Sequence, residues 1–204
     1  MHTALLGFEP EVARGVQVLA LPSLQEASNL PCDTGSDVKV LQKEFENTVA
    51  DLGLVEEGWQ VKAYQVWQTD ASLTSASLLV RAESARQWLR DRPENNIVVV
   101  SHGCFLHFLT DDWKGSLSAQ GLQSLDRCII LTIADHLSLA TGWSNAEFRS
   151  YELSSDGGST LLRETAESKE RRGVAACDHE SEEETLLERK KTIDTWLTWG
   201  IVTG

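Results

Sequence analysis

The clearest pattern in the chain is an uninterrupted apolar run at residues 97–100 that gives way to helical spacing. The run Ile-Val-Val-Val has no polar alternation, which predicts a strand covered on both faces, as in a parallel sheet. Phe105, Phe108 and Leu109 then recur at helical spacing, so a helix is expected directly after the strand. The joint between the two elements falls at Ser101-His102-Gly103.

A helix and a strand are predicted upstream of this joint. Four small or apolar residues share one helical face, and Arg81 lies outside their stripe. These four residues are Leu78, Ala82, Ala85 and Leu89. Pro93 marks the expected end of this helix. Earlier in the chain, residues 16–21 predict a strand, and Ser36 or Asp37 can cap a helix that is expected to continue for several turns.

Downstream of the joint, the pattern predicts further strands, a hairpin and a terminal helix. The run at 128–134 is apolar without alternation and predicts another strand. Residues 147–153 alternate and predict a strand near the sheet edge, which the Asp156-Gly157-Gly158 turn would pair with residues 160–162. Residues 164–184 are charged and indicate a solvated linker before a C-terminal amphipathic helix. Helices that alternate with buried strands are typical of an α/β layer fold.

Composition narrows the class of protein. The chain has 204 residues and is 41% hydrophobic, so it is long enough for one domain with a sizeable core. Its formal charge of −13 argues against a sequence-independent grip on nucleic acid or on an anionic membrane. The 4 cysteines have no paired spacing, residues 1–10 have neither the basic start nor the apolar run expected of a signal peptide, and no apolar stretch reaches 18 residues. We therefore expect a cytoplasmic protein without membrane-spanning segments.

The strand-to-helix joint is the best candidate for a binding site. Ligands of open α/β sheets bind beyond the carboxyl ends of strands, where the next helix offers free N–H groups to an anion. His102 at this joint is either a ligand of such an anion or a structural residue, and the pattern leaves both open. His107 lies among apolar residues and is expected to pack. Since Cys104 and the two histidines have no distant partner pair at zinc spacing, no metal site is predicted.

Three blocks of residues occur in a recognisable order. They are Leu24-Gln25-Glu26, Ser101-His102-Gly103 after a valine-rich strand, and the block from Thr141-Gly142-Trp143 to Arg149. In this order they resemble the histidine phosphatase superfamily, in its phosphoglycerate-mutase-like branch. The resemblance covers residues 3–153 and implies a three-layer αβα fold with a mostly parallel central sheet. It also implies phosphoryl chemistry through a phosphohistidine on a small phosphorylated or other anionic substrate, without a cofactor.

The resemblance assigns roles to individual residues. His102 matches the second histidine of the family, which would hydrogen-bond the phosphoryl oxygens and stabilise their charge. Glu26 matches the carboxyl group that donates a proton to the leaving group. Gly103 and Cys104 would offer backbone N–H groups to the phosphate. The stretch Asp33-Thr34-Gly35 is typical of this branch and is expected to shape the pocket.

The chain departs from the family pattern in two places. No Arg-His-Gly motif occurs in the 204 residues, so the nucleophilic histidine is absent, and the first, central strand of the family would lie upstream of Met1. We therefore expect an N-terminally truncated protein. Related sequences join the flanking blocks by a shorter connection, so residues 114–140 are expected to be an insertion or a translated intron. The predicted domain covers residues 1–163, and residues 164–204 form the linker and terminal helix.

The function inferred from these features has several alternatives. Phosphomonoester hydrolysis or phosphoryl transfer is the ancestral activity, and this chain is expected to be inactive or impaired in it. The chain could instead be a phosphate-binding pseudoenzyme that keeps His102, or a family member that uses Glu26 and His102 as acid and base in a biosynthetic pathway. A serine hydrolase with Ser144 in a nucleophile elbow is disfavoured, because residues 146–153 predict a strand where the elbow needs a helix. The sequence leaves the oligomeric state open.

Overall fold

The computed structural model describes residues 1–61, 74–114, 143, 146–156, 159–174 and 181–202. The helices in this part are α1 (His2–Gly7), α2 (Glu9–Ala13), α3 (Val38–Glu44), α4 (Ser75–Arg90), α5 (Gly103–Thr110), α6 (Ala166–Arg171) and α7 (Glu182–Thr198). The strands are β1 (Val18–Leu19), β2 (Ala50–Asp51), β3 (Tyr151–Asp156) and β4 (Ser159–Glu164). Single 3-10 turns lie at Pro22–Leu24 and Pro31–Asp33.

The strands form two separate two-stranded sheets. β1 and β2 are parallel, with Val18 opposite Ala50. β3 and β4 are antiparallel, with Leu153 opposite Leu162. The predicted antiparallel pairing is therefore confirmed, although its first strand begins at Tyr151 and not at residue 147. A strand within residues 16–21 is also confirmed. The described part of the chain is a mixed α/β structure with small sheets.

Helix α4 carries the main internal contact surface. Its four stripe residues are all buried, as their spacing predicted. Thr74 caps the start of the helix, and its side chain accepts the Ser77 N–H at 3.2 Å. Ala82 and Ala85 have fully buried side chains and belong to the same hydrophobic cluster as Phe105 on α5. Small residues at these positions let α5 lie close to α4.

Helix α7 contributes the largest buried side chain of the C-terminal region. The Trp196 ring is fully buried, and its centroid lies 5.7 Å from the His107 ring and 6.1 Å from the rings of Phe108 and Trp113. Aromatic pairs at this separation add to the free energy of burial. The predicted terminal helix is confirmed, but Trp196 anchors it, whereas Leu186 is 46% exposed.

Residues 97–100 do not form the buried strand that their apolar sequence predicts. Ile97, Val98 and Val100 are exposed, Val98 by 63%, and no backbone hydrogen bond within the described residues reaches this segment. Val99 alone of the four packs against the hydrophobic cluster. The prediction was wrong because burial of a parallel strand needs neighbouring strands. In the described part of the chain β1 pairs with β2, and no strand pairs with this segment.

Helix α3 begins as predicted but ends early. The Asp37 side chain accepts the Lys39 N–H at 2.9 Å, which makes Asp37 the cap. The helix ends at Glu44, although apolar residues continue at helical spacing beyond it. Pairing of Ala50 and Asp51 with β1 replaces helix formation there. Long-range strand pairing has therefore overridden the local pattern.

The stretch that charge content indicated as a solvated linker contains an ordered polar network. Helix α6 begins after Thr165, and the buried Ser168 hydroxyl donates to Glu164 Oε1 at 2.7 Å. Arg172 donates to both carboxylate oxygens of Glu164, at 2.6 and 3.0 Å. These bonds join α6 to the end of the hairpin.

Several predicted features lie outside the described residues. They are the strand at 128–134, the greater part of the 114–140 insertion, residues 62–73 and the Gly157-Gly158 turn. Among the helices that the structure describes, none is both long and apolar enough to cross a membrane.

We expect Trp196→Ala to lower the free energy of unfolding by about 3–5 kcal/mol, because it leaves a cavity between α5 and α7. Trp199→Ala is the matched control, since Trp199 is 39% exposed and its loss should cost less than about 1 kcal/mol. Urea unfolding followed by far-UV circular dichroism measures both values. Equal losses in the two variants would contradict the core position of Trp196.

Stability should depend on pH through Glu164. Burial alone would raise the pKa of Glu164, but hydrogen bonds from Arg172 and Ser168 outweigh burial and hold this pKa below its ordinary value. The stabilisation is therefore complete above the unfolded-state pKa of about 4.3 and is lost as the pH falls through the lower folded-state pKa. Between pH 7 and pH 3, urea unfolding of Glu164→Gln should show a smaller loss of stability than the wild type. The exposed Glu167, changed to Gln, serves as control, and a Glu164→Gln profile parallel to the wild type would reject this assignment.

Candidate functional site

The candidate site is the beginning of helix α5, where His102 precedes the first helical residue. Its backbone is extended, with φ −122° and ψ 152°, and its carbonyl oxygen accepts the Leu106 N–H at 2.9 Å. The imidazole is exposed, and within the described residues it has no hydrogen-bond or ion-pair partner. Both ring nitrogens of His102 are therefore available to a ligand.

The Glu26 carboxylate takes the place that a capping side chain would normally fill. Glu26 is 8% exposed and follows the Pro22–Leu24 turn. Its Oε1 accepts the Phe105 N–H at 2.9 Å and the Ala27 N–H at 2.6 Å. The first N–H groups of a helix have no intrahelical acceptor, and the helix dipole favours negative charge there. The structure thus brings Glu26 and His102 to the same end of α5.

Two N–H groups at the helix start have no hydrogen-bond acceptor among the described residues. Those of Gly103 and Cys104 have no acceptor in the described part of the chain, whereas Glu26 holds that of Phe105. An anion bound there would lie beside the Glu26 carboxyl group, whose ionised form repels it and whose protonated form does not.

The Cys104 thiol is not a reactive group. The whole residue is 1% exposed, and burial raises the pKa of the Cys104 thiol well above its ordinary value. The carboxylates of Glu26 and Asp33 raise this pKa further. The thiol is therefore neutral at physiological pH, whereas the thiolate is the nucleophilic and metal-binding form.

The loop after Glu26 is held by side-chain hydrogen bonds. The Ser28 hydroxyl donates to the Asp33 carboxylate, and Thr34 Oγ1 donates to two carbonyl oxygens of the same loop at 3.0 and 3.3 Å. The Trp59 ring packs on Gly35, where an added Cβ would overlap the ring. The Asp33-Thr34-Gly35 stretch therefore shapes the loop beside the site.

Arg81 is a site residue that the helical pattern missed. The stripe on α4 indicated that Arg81 faces elsewhere, yet its guanidinium carbon lies 4.1 Å from the centroid of the Phe105 ring. Its Nη2 donates to the carbonyl oxygens of Gln25, at 2.9 Å, and Glu26, at 3.2 Å. Burial lowers the pKa of Arg81 to about 10, and the Glu26 carboxylate opposes that shift. The available signal was its position beside Ala82, where a long side chain can turn inward.

His107 packs, as its apolar neighbours predicted. Its Nδ1 is hydrogen-bonded to the carbonyl oxygen of Asp112, and its ring stacks on Trp113 with a centroid separation of 5.6 Å. Within the described ranges, no three His, Cys, Asp or Glu side chains are grouped as metal ligands would be. His107 therefore stabilises the C-terminal end of α5, away from the candidate site.

The downstream block forms a separate charged cluster. The Arg149 side chain is 3% exposed and donates to Asp112 and Glu147, both at 2.7 Å. Its guanidinium carbon lies 3.5 Å from the centroid of the Trp143 ring. A buried cation between two carboxylates and an aromatic face is a structural feature. Ser144, the nucleophile of the hydrolase alternative, lies outside the described residues.

Comparison with known proteins gives no relative. No protein-family model, no curated protein and no solved structure matches this chain. Membership of a family therefore remains a proposal.

We expect Glu26→Ala to lower the free energy of unfolding by about 1–3 kcal/mol, because it leaves the buried Phe105 and Ala27 N–H groups without an acceptor. Glu46→Ala is the control, since Glu46 is exposed and its truncation should change stability by less than about 0.5 kcal/mol. Denaturant unfolding measures both variants. An unchanged stability of Glu26→Ala would show that the carboxylate does not hold the start of α5.

Proposed function

We propose that the chain is a phosphate-binding member of the histidine phosphatase superfamily, in its phosphoglycerate-mutase-like branch. One observation carries this proposal. Within the described residues, the exposed imidazole of His102 has no partner and stands at a helix start with two unbonded N–H groups, and the Glu26 carboxyl group accepts the third N–H of the same helix. A cationic or neutral hydrogen-bond donor, backbone N–H groups and a carboxylic acid are what phosphoryl chemistry requires around the transferred group.

The residues present would supply phosphoryl binding and proton donation, but not the phosphoryl acceptor. His102 and the N–H groups of Gly103 and Cys104 would bind the phosphoryl oxygens, and Glu26 would give its proton to the leaving group. The group that would accept the phosphoryl is absent, because no Arg-His-Gly occurs in the 204 residues. Binding without turnover is therefore the behaviour expected of this chain.

The exposed segment at residues 97–100 also supports the proposal. The resemblance implies a three-layer αβα fold in which residues 97–100 belong to a mostly parallel sheet. A segment suited to such a sheet has apolar side chains exposed and backbone groups unbonded wherever no strand pairs with it. Ile97, Val98 and Val100 are exposed in this way.

Acid–base chemistry on a non-phosphate anion is the second candidate function. The observation that favours it is the juxtaposition of a buried carboxyl group, Glu26, and an exposed imidazole, His102, at one helix end. Such a pair can move a proton without a phosphohistidine. Under this alternative an anion would bind at the same N–H groups, but inorganic phosphate and vanadate would not be preferred over a carboxylate of similar size.

We expect inorganic phosphate and vanadate to bind the purified chain and to bind His102→Ala roughly 10- to 100-fold more weakly. This is the loss of one charge-assisted hydrogen bond, about 1.5–3 kcal/mol. Isothermal titration calorimetry measures the affinities, with acetate as the competing anion. His2→Ala is the control, because His2 is also exposed but pairs with Glu44 at 2.6 Å on another part of the surface.

The same protein should not hydrolyse p-nitrophenyl phosphate. Turnover by the 204-residue chain that survives in His2→Ala would refute binding without catalysis. Unchanged phosphate affinity in His102→Ala would refute the site itself, and equal affinities for phosphate and acetate would favour the acid–base alternative.

A further inference from the structure

Arg81 contacts the backbone around Glu26 and also the ring of Phe105, the residue whose N–H binds the Glu26 carboxylate. One nitrogen, Nη2, donates to the backbone carbonyl oxygens of Gln25 and Glu26. The guanidinium plane also lies over the Phe105 ring, 4.1 Å from its centroid. Phe105 in turn donates its N–H to Glu26 Oε1 at 2.9 Å. The arginine therefore joins the backbone of the carboxylate-bearing residue to the helix residue that binds the carboxylate.

An arginine suits this place better than a lysine. The planar guanidinium can share one nitrogen between two carbonyl oxygens while its face stacks on an aromatic ring. A lysine ammonium at the same position keeps the charge but not the stacking or the fixed fork of donors. The contacts of Arg81 thus depend on the shape of the group as well as on its charge.

We propose that Arg81 is a positioning residue, which fixes the Glu26 carboxylate at the first turn of α5 so that the carboxyl group and His102 face a bound anion together. The use of that carboxyl group rests on the proposed function, whereas its fixed position does not. Arg81 acts through Glu26 and Phe105, and it touches neither the imidazole of His102 nor the open N–H groups in the described contacts.

Arg86 provides a matched comparison on the same helix. It lies on α4 and donates through Nη1 to the carbonyl oxygens of Phe108 and Leu109, both at 3.0 Å. It also pairs with Glu83 at 2.7 Å. Arg86 therefore holds the C-terminal end of α5, whereas Arg81 holds the start. A substitution at either position removes a partly buried guanidinium from α4.

The charged and titratable groups around Glu26 come from three segments. Arg81 lies on α4, Cys104 and His102 lie at the start of α5, and Asp33 lies on the loop after Glu26. The Cys104 thiol stays neutral because burial raises its pKa well above the ordinary value. A change of the Phe105 amide chemical shift at acidic pH could therefore come from Glu26 or from Asp33. The Asp33→Asn variant separates the two contributions.

The Phe105 amide reports the position of Glu26 directly. It is the third helical residue, so its N–H has no intrahelical acceptor and bonds to the carboxylate instead. The neighbouring Leu106 N–H bonds to the His102 carbonyl oxygen and serves as an internal reference. Amide hydrogen exchange and the pH profile of the Phe105 amide shift, both by NMR, measure whether the carboxylate stays in place.

In Arg81→Lys, the Phe105 amide should exchange roughly 5- to 10-fold faster relative to Leu106, the effect of losing one hydrogen bond of about 1 kcal/mol. The chemical shift of the Phe105 amide should also stop changing with pH in the acidic range, as it should in Glu26→Gln. Arg86→Lys should leave both readouts at the wild-type values. If Arg81→Lys does not fold, Phe105→Leu, which removes the stacked ring but keeps the N–H, should give the same direction of change.

Two results would overturn the positioning role. One is a Phe105 amide that keeps its protection and pH profile in the Arg81 variant, or in Phe105→Leu where that variant is used. The other is an equal effect of Arg86→Lys, which would mark a general loosening of α4. If phosphate fails to bind while the Phe105 readouts change as expected, the proposed function fails and the positioning role stands.

Discussion

The bond between the Glu26 carboxylate and the start of helix α5 is the constraint on which the candidate site depends. A buried carboxylate requires donors, and the first N–H groups of a helix require acceptors, so each group satisfies the other. The two residues that it joins, Glu26 and Phe105, are 79 positions apart in the chain. His102 and the unbonded N–H groups of Gly103 and Cys104 belong to the same helix start. The bond therefore places the Glu26 carboxylate at the helix end that His102 precedes.

Helix α4 supports α5 along its whole length. Arg81 holds the segment that carries Glu26, and Arg86 holds the last carbonyl oxygens of α5. Between them, Ala82 and Ala85 allow close packing of the two helices. Against the C-terminal half of α5, the ring of Trp196 completes an aromatic cluster with Phe108 and Trp113. Contacts at both ends and along the middle therefore fix α5 against α4.

The segment at residues 97–100 shows the opposite situation, in which a strongly apolar sequence is left largely uncovered. Ser101 at its end is tied to the Glu26 loop, since its hydroxyl donates to the Leu24 carbonyl oxygen at 2.8 Å. Before that point, Ile97, Val98 and Val100 are exposed, and the described residues supply no strand to pair with them. An open backbone edge with β-branched side chains is able to pair with another strand. The candidate site therefore directly follows a segment that is apolar but exposed and has no strand partner in the described part of the chain.

The sequence by itself determined the features that depend on neighbours a few residues away. The buried stripe of α4, the start of α5 at Gly103 and the β3–β4 hairpin follow from periodicity, capping and turn residues, and the structure has all three. Tertiary structure decided the rest. Whether residues 97–100 are buried depends on strands elsewhere in the chain, and the inward turn of Arg81 depends on carbonyl oxygens 55 and 56 positions away. Local patterns give the type of an element, whereas its partners across the chain decide what it contacts.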